Sequence, residues 1–212
     1  MVTSSLECEV GRERREKILQ VVKDHALVRG KFTLSSGQES DYYWDGKMAT
    51  TLPEAAYLIA EEIFELLEDT DIQAVGGLAI GADLMVPAVV IMSLLKGKPI
   101  PGFVIRDRRK EHGTKKEIEG QLPKERGAKV ALMDDIITTG NSIFPAIEKV
   151  ENEGCKVAKI VVLLDRHQGG SDKLKRAGYD FTAILHSDAS GQVTIDETSA
   201  VARHAEERAV PK

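Results

Sequence analysis

Hydrophobic positions recur at two spacings along the first third of the chain. Spacings of three and four residues, which predict helices with one buried face, occur in residues 12–28 and 54–67. Two short apolar runs near residues 32–34 and 42–44 flank a Ser-Gly turn and predict a pair of strands. The first 50 or so residues are therefore predicted to form a small α+β unit.

After residue 67 strand and helix patterns alternate. Short apolar strands are predicted at residues 72–75, 102–105, 129–133, 157–164 and 180–185, and helices at residues 82–95 and 142–152. Such alternation indicates right-handed βαβ units and a sheet that helices cover on both faces. The predicted fold class is α/β, with a mostly parallel twisted sheet, flanking helices and a small N-terminal α+β hood. We expect the strand at 180–185 to close one edge of the sheet.

The 212 residues are predicted to form a single domain, because the chain shows neither internal repeats nor low-complexity linkers. Within it we expect a hood over about residues 1–50, a core over about 51–190 and a C-terminal tail over about 191–212. The tail is rich in Ala and charge, and its pattern leaves open a surface helix or a frayed terminus.

Charge and composition exclude several classes of protein. A net charge of −5 predicts no broad attraction to nucleic acid or anionic lipid. The most apolar run, residues 84–95, is well short of the roughly 20 residues that cross a bilayer. Two cysteines and a polar N-terminus without a signal-like apolar core point to a reducing compartment. We therefore expect a cytoplasmic protein with neither a nucleic-acid nor a membrane partner.

The most informative segment is V-A-L-M-D-D-I-I-T-T-G-N-S, residues 130–142. An apolar strand ends at Asp134 and Asp135, and a loop of hydroxyl residues and glycine then opens a helix. Small residues and free N–H groups at a helix start suit a phosphate, and adjacent carboxylates suit sugar hydroxyls. This order predicts a ribose-phosphate site rather than two solvated aspartates before an ordinary helix cap. ATP-loop and dinucleotide fingerprints are absent from the sequence, which disfavours ATP hydrolysis and NAD chemistry.

This segment closely resembles the 5-phosphoribosyl 1-pyrophosphate (PRPP) signature of the type I phosphoribosyltransferases. The resemblance implies that Asp134 and Asp135 bind the ribose 2- and 3-hydroxyls. It also implies that the 5-phosphate is bound by Thr138, Thr139, Gly140, Asn141 and Ser142. The motif says nothing about the acceptor base.

Residues 31–45, K-F-T-L-S-S-G-Q-E-S-D-Y-Y-W-D, resemble the hood segment of orotate phosphoribosyltransferases. A Ser-Gly turn offers backbone donors and acceptors to a pyrimidine edge, and aromatic rings offer a flat wall. The resemblance implies that orotate contacts Ser36, Gly37, Tyr43, Trp44 and Thr138. The alternative is a hairpin whose aromatic rings belong to the core. Ser35 stands where many members of that family have Lys.

Residues 106–120, R-D-R-R-K-E-H-G-T-K-K-E-I-E-G, carry six Lys or Arg residues. They suit a glycine-hinged flap that neutralises a departing pyrophosphate, although a solvated charged loop is the alternative. The family's flap maps onto Arg106, Lys110, His112 and Gly113, with Lys110 and His112 in catalytic roles. In that family the flap reaches the neighbouring subunit's site, which implies a homodimer. Asp107 stands where the family has Lys, and Arg108 or Arg109 could compensate.

Residues 165–170, D-R-H-Q-G-G, place an arginine in the loop after a strand. Its guanidinium matches a carboxylate in two hydrogen bonds, and the resemblance assigns Arg166 to the orotate carboxylate. The alternative is a pair with Asp165 or a helix end. Residues 76–83 resemble the pyrophosphate-side loop, as supporting evidence only. His25, His186 and His204 are expected to be surface or structural residues, whereas His167 lies beside Arg166.

These observations predict an orotate phosphoribosyltransferase that converts orotate and PRPP to orotidine 5-monophosphate and pyrophosphate. Mg²⁺ is the expected cofactor, held mainly by substrate and water rather than by protein ligands. Two alternatives stay open, a phosphoribosyltransferase for another base and a non-catalytic PRPP-sensing regulator. Arg166 discriminates the first, while the acidic balance and the flap residues argue against the second.

Overall fold

A computed structural model of the chain describes residues 2–33, 39–107 and 117–195. The helices are α1 (Val2–His25), α2 (Gly46–Thr50), α3 (Pro53–Leu67), α4 (Gly81–Leu95), α5 (Ile143–Asn152) and α6 (Gly170–Arg176). The strands are β1 (Leu27–Thr33), β2 (Glu39–Trp44), β3 (Ala74–Leu78), β4 (Gly102–Ile105), β5 (Ile118–Gly120), β6 (Lys129–Ile137), β7 (Lys156–Asp165), β8 (Phe181–Ser187) and β9 (Val193–Ile195).

The N-terminal hood consists of α1 and the antiparallel pair β1–β2. Helix α1 ends three residues earlier than predicted, because Leu27 and Val28 pair with Trp44 and Tyr43 of β2. Its apolar positions Ile18 and Val22 are buried, as the helical spacing predicts. The hood therefore packs onto the rest of the molecule through one face of α1.

A seven-stranded sheet in the order β5-β4-β3-β6-β7-β8-β9 forms the centre of the molecule. Its five inner strands are parallel, and β5 and β9 join the two edges antiparallel. The predicted edge strand β8 is thus covered by β9, which lies in the stretch expected to be tail. The three residues of β9 are too few for a periodic signal, and only pairing with β8 makes them a strand.

Helices cover both faces of this sheet. One buried cluster lies under α1, α3 and α4, and the other lies under α5 and α6. Helix α3 begins with Pro53 at its first turn, where a missing N–H leaves no bond unmade. The mostly parallel sheet with flanking helices confirms the predicted fold class.

Ion pairs between buried side chains also join α1 to α3. Arg14 donates from Nε to Glu62 (2.9 Å) and from Nη1 to Glu65 (2.8 Å), and Arg15 Nη2 lies 2.6 Å from Glu62. Arg14, Arg15 and Glu62 are all buried. In the described part of the chain, none of the helices has the length and apolarity required to traverse a bilayer.

Candidate active site

The site lies at the carboxyl edge of the sheet, where the loops after β3, β4, β6 and β7 emerge. Parallel α/β sheets bind ligands at this edge. Strand β6 runs to Ile137, four residues beyond its predicted end, because Ile136 and Ile137 pair with Leu164 and Asp165 of β7. Asp134 and Asp135 therefore lie within the strand rather than beyond it.

Asp134 and Asp135 form a buried carboxylate pair. Asp134 Oδ1 accepts from the backbone N–H of Asp135 (3.0 Å), and Asp134 Oδ2 accepts from the Ser142 hydroxyl (3.3 Å). Burial, followed by the charge of Asp135, raises the pKa of Asp134, and burial raises that of Asp135 against the charge of Lys47. A buried pair with so few donors has spare capacity to accept hydrogen bonds from hydroxyl groups.

Two glycines lie directly against these carboxylates. A Cβ at Gly81 would stand 2.4 Å from Asp134 Oδ1 and 2.6 Å from Asp135 Oδ1, and one at Gly46 would stand 2.7 Å from Asp135 Oδ2. No side chain fits in either position without moving the carboxylates. The sequence does not predict this role for either glycine, since the approach of α2 and α4 to β6 is a tertiary contact.

Lys47 is a third residue whose place at the site the sequence did not predict. It lies in the first turn of α2, and its Nζ is 2.7 Å from Asp45 Oδ1. Its charge acts on Asp135, as the opposing effect on the Asp135 pKa shows. A lysine in a short helix far from the motif gives no signal in the sequence.

The loop of residues 138–142 connects β6 to α5 and turns at Gly140, whose φ is +85°. Gly170 at the start of α6 donates its N–H to the Thr138 carbonyl (2.9 Å), and a Cβ there would stand 2.6 Å from that oxygen. Lys173 of α6 donates to the Thr139 carbonyl (3.1 Å). The Ser142 side chain does not cap α5 and bonds to Asp134 instead. Hydrogen bonds from α6 therefore hold this loop in place at the start of α5.

Arg166 is buried beside the hood. Its guanidinium carbon lies 5.3 Å from the centroid of the Tyr42 ring, and its Nε has no hydrogen-bond partner among the described residues. Its backbone N–H donates to the carbonyl of Ile137 (3.0 Å), which ties the β7 loop to β6. A buried guanidinium N–H without an acceptor is unfavourable unless a bound anion accepts a hydrogen bond from it.

The aromatic residues of β2 differ from the predicted arrangement. Trp44 is 2% exposed and belongs to the core, so the alternative interpretation given for the aromatic cluster holds for this ring. Because side chains alternate along a strand, Tyr43 points away from the Arg166 side and packs on Phe32 at 5.6 Å between ring centroids. Tyr42, which the predicted set omits, is the ring next to Arg166.

The predicted flap begins at Arg106, whose Nε is 3.3 Å from Glu119 Oε1. Lys149 of α5 donates to the carbonyls of Arg106 (2.7 Å) and Asp107 (3.3 Å), and its Nζ is 3.9 Å from Glu117. Lys149 therefore joins both ends of the flap, a role that sequence reasoning missed. The predicted residues Ser35, Ser36, Gly37, Arg108, Arg109, Lys110, His112 and Gly113, together with the tail from residue 196 that contains His204, lie outside the described residues.

Comparison with known proteins decides the family. The phosphoribosyl transferase domain model matches residues 52–193. The orotate phosphoribosyltransferase of Nostoc sp. is 42% identical over 172 residues, covering 81% of this chain and 82% of that protein. The chain belongs to the orotate phosphoribosyltransferase family. The resemblance that rests on residues 130–142 and on the hood, flap and Arg166 segments is thereby confirmed.

Other members of the orotate phosphoribosyltransferase family agree in sequence and in structure. The Streptomyces avermitilis enzyme is 37% identical over 178 residues, covering 84% of this chain and 97% of that protein. The Mycobacterium tuberculosis enzyme in complex with PRPP matches with a TM-score of 0.67 at 33% identity, over 82% of this chain and 96% of that one. The chain is therefore an enzyme of the pentosyltransferase class.

Proposed function

We propose that the chain transfers the 5-phosphoribosyl group from PRPP to orotate and thereby forms orotidine 5-monophosphate and pyrophosphate. The observation that carries this proposal is a buried carboxylate pair next to a hydroxyl-lined loop, with a buried, incompletely paired arginine on the neighbouring strand. The carboxylate pair and the loop suit a ribose phosphate, and the arginine suits a base that carries a carboxylate.

PRPP occupies the β6 side of the site in this proposal. Asp134 and Asp135 accept hydrogen bonds from the two ribose hydroxyls, and residues 138–142 bind the 5-phosphate at the start of α5. Support comes from the absence of a side chain at Gly81, where a Cβ would stand within 2.6 Å of both carboxylates, and from the contact of Gly170 with the loop.

Orotate occupies the space between Arg166 and the hood. Its carboxylate pairs with the guanidinium in two parallel hydrogen bonds, and the Tyr42 ring flanks that ion pair. The pairing supplies the acceptor that the buried Nε lacks among the described residues. Uracil and adenine carry no carboxylate, so the same arginine selects against them.

The reaction then proceeds by attack of the base nitrogen on C1 of the ribose while pyrophosphate departs. Positive charge develops on the sugar and negative charge on the leaving oxygens, so catalysis rests on alignment and on charge stabilisation. Lys110 and His112 of the flap neutralise the pyrophosphate in this proposal, and Lys149 anchors the base of the flap.

Mg²⁺ is the proposed cofactor. The pair Asp134 and Asp135 fits a hard, oxygen-seeking dication nearby, because burial and mutual repulsion leave the pair short of positive charge. When bound, the ion would neutralise negative charge on the departing pyrophosphate. A cytoplasmic location stays a prediction from composition.

A homodimer is part of the proposal. Along α4, apolar residues at three- and four-residue spacing form one outer face, which we call the α4 stripe: Ile80, Leu84, Pro87, Ile91 and Leu94. Leu94 is 64% exposed and Ile91 59%, unusual for large apolar side chains on a single face. A second copy of the chain is the occupant, and it would bring its flap to the neighbouring site.

The test replaces Arg166 with Ala and measures orotate and PRPP separately. We expect kcat/KM for orotate to fall roughly 10- to 100-fold, the loss of one charge-assisted hydrogen-bond pair, with PRPP affinity unchanged by calorimetry. Arg176→Ala, at the end of the same loop's helix, is the matched control and should keep both values.

Three outcomes would contradict the proposal. Equal loss for Arg166→Ala and Arg176→Ala would mean that the loop is only structural. Equal turnover of adenine or uracil by the native chain would favour a phosphoribosyltransferase for another base. PRPP binding without turnover of any base would favour a sensing regulator.

A further inference from the structure

Three side chains of types that can ligate a metal, Asp165, His167 and His186, converge beside Arg166 and have no role in the proposed reaction. Asp165 and His186 are register partners on the parallel strands β7 and β8, so their side chains leave the sheet on the same face. His167 follows Asp165 by two residues and turns back toward it. One oxygen or ring nitrogen from each residue lies within 4.8 Å of the other two.

The carboxylate at the centre of this group is incompletely satisfied. Asp165 is 1% exposed, and its Oδ1 accepts from the backbone N–H of His167 at 2.8 Å. Its Oδ2 has no hydrogen-bond partner among the described residues and lies 3.4 Å from His167 Nδ1 and 3.9 Å from His186 Nδ1. A buried carboxylate oxygen in this state is stabilised by a cation.

The distances between Asp165 Oδ2 and the Nδ1 atoms of the two histidines are close to those between ligand atoms of a tetrahedral metal site. Ligand atoms around Zn²⁺ with bonds of about 2.0–2.1 Å lie about 3.3 Å apart, slightly less than the distances from Asp165 Oδ2 to the two rings. The rings of His167 and His186 stack at 4.7 Å between centroids with an angle of 10°. Parallel rings do not aim both nitrogens at one point, so binding requires one ring to turn. The His167 side chain is 53% exposed and can do so.

We propose that Asp165, His167 and His186 bind one divalent transition-metal ion of the Zn²⁺ class, with water completing the coordination. Two imidazoles and one carboxylate form a borderline donor set that suits Zn²⁺ or Co²⁺ and not Mg²⁺, which prefers oxygen ligands alone. The site is distinct from the proposed Mg²⁺ role at the substrates. Because it holds the residues on either side of Arg166, an ion there fixes the loop that carries that arginine.

The experiment titrates Co²⁺ into the full chain after treatment with chelator, with no substrate present. We expect one equivalent to bind, with visible d–d absorption, and Zn²⁺ to displace it. His167→Gln removes a metal ligand. Loss of a residue that only hydrogen-bonds to a ligand weakens metal binding roughly 10- to 100-fold, so we expect Co²⁺ binding to weaken by at least that much. His186→Gln should do the same, and His25→Gln, which changes an exposed histidine at the end of α1, should not.

Thermal melting of each variant without metal shows whether it is folded. If His186→Gln does not fold, His167→Gln still tests the site, because the His167 side chain is exposed. Absence of a stoichiometric Co²⁺ complex in the native chain would overturn the proposal, as would equal binding by His167→Gln and His25→Gln. Since no substrate is used, failure here leaves the proposed transferase activity untouched.

Discussion

Asp134 and Asp135 are held in a place that disfavours two negative charges. Both are buried, and Lys47, whose charge acts on Asp135, is also paired with Asp45. Burial raises the pKa of Asp134 to about 8, with the charge of Asp135 adding to it. This raised pKa favours a proton on Asp134 at neutral pH in the free protein. In the proposed complex, ribose hydroxyls would donate to the pair and Mg²⁺ would supply positive charge nearby.

This raised pKa predicts a pH-dependent stability. An unfolded Asp loses its proton near pH 4, whereas folded Asp134 keeps it to about pH 8, so the stabilisation is complete below about pH 4 and is lost as the pH rises toward 8. Asp134→Asn should flatten the urea-derived free energy of unfolding across this window, by up to about 1.4 kcal/mol per pH unit. The exposed Asp69→Asn serves as control, and parallel curves for wild type and Asp134→Asn would contradict the assignment.

Gly81 gives a second prediction at this scale. In Gly81→Ala the new methyl meets Asp134 Oδ1 and Asp135 Oδ1 within 2.6 Å, so both carboxylates must shift. We expect PRPP affinity by calorimetry to fall about tenfold, equivalent to about 1.4 kcal/mol. Gly11→Ala, where the nearest atom is 3.8 Å away, should bind PRPP as the wild type does. Unchanged affinity in Gly81→Ala would mean that these oxygens do not contact the ligand.

At the scale of elements, the buried ion pairs between α1 and α3 determine how the hood is attached. Arg14 is bound by Glu62 and Glu65, and Arg15 by Glu62. Burial alone would lower the pKa of Arg14, but hydrogen bonds and the two glutamates raise it instead. Because Tyr42 of the hood lies on Arg166, this attachment also positions the predicted orotate pocket.

Arg14→Met removes one partner of a buried charge pair and leaves Glu62 with Arg15 only. We expect the free energy of unfolding in urea to fall by about 3 kcal/mol, the lower end of the range for such losses. Arg12→Met, two residues before Arg14, breaks an exposed pair with Glu16 and should have almost no effect. A similar small change in both variants would show that the buried network contributes little.

The bounds of the helices and strands show which parts of the fold a local sequence pattern can predict. The spacing of apolar residues predicts β4 with its observed bounds and α3 to within one residue, because both bury a continuous local stripe. The ends of β6 and α1 depend on pairing with β7 and β2, and β5 and β9 have three residues each. Such ends are determined by partners distant in sequence.

At the scale of the whole molecule, the α4 stripe is an exposed apolar face, on which Ile80, Ile91 and Leu94 are each more than half exposed. At the end of α4, Lys96 lies 2.6 Å from Glu61 of α3 and joins these two helices. A stripe of this kind on a soluble monomer favours aggregation, whereas a second copy would bury it. In the proposed dimer each flap would serve the other subunit, so that oligomerisation and catalysis would be coupled.

Leu94→Asp places a charge at the C-terminal end of the α4 stripe, the face of the proposed dimer interface. We expect light scattering to show a dimer for the wild type and a monomer for the variant, with transferase activity falling in parallel. Val10→Asp, which changes an exposed apolar residue of α1, should stay dimeric. A monomeric wild type with full activity would contradict both the dimer and the flap in trans.

The sequence by itself determined the α/β class, the order of most elements and the segment 130–142, because helical and strand periodicity and a contiguous motif are local properties. Tertiary structure decided the rest. Gly46, Lys47 and Gly81 meet Asp135 only when α2 and α4 pack on β6, and Tyr42 replaces Tyr43 beside Arg166 because the pairing of β2 sets which face each ring takes. Likewise Asp165 and His186, 21 positions apart, become neighbours through the register of β7 and β8. Contacts of this kind depend on chain segments that no local pattern relates.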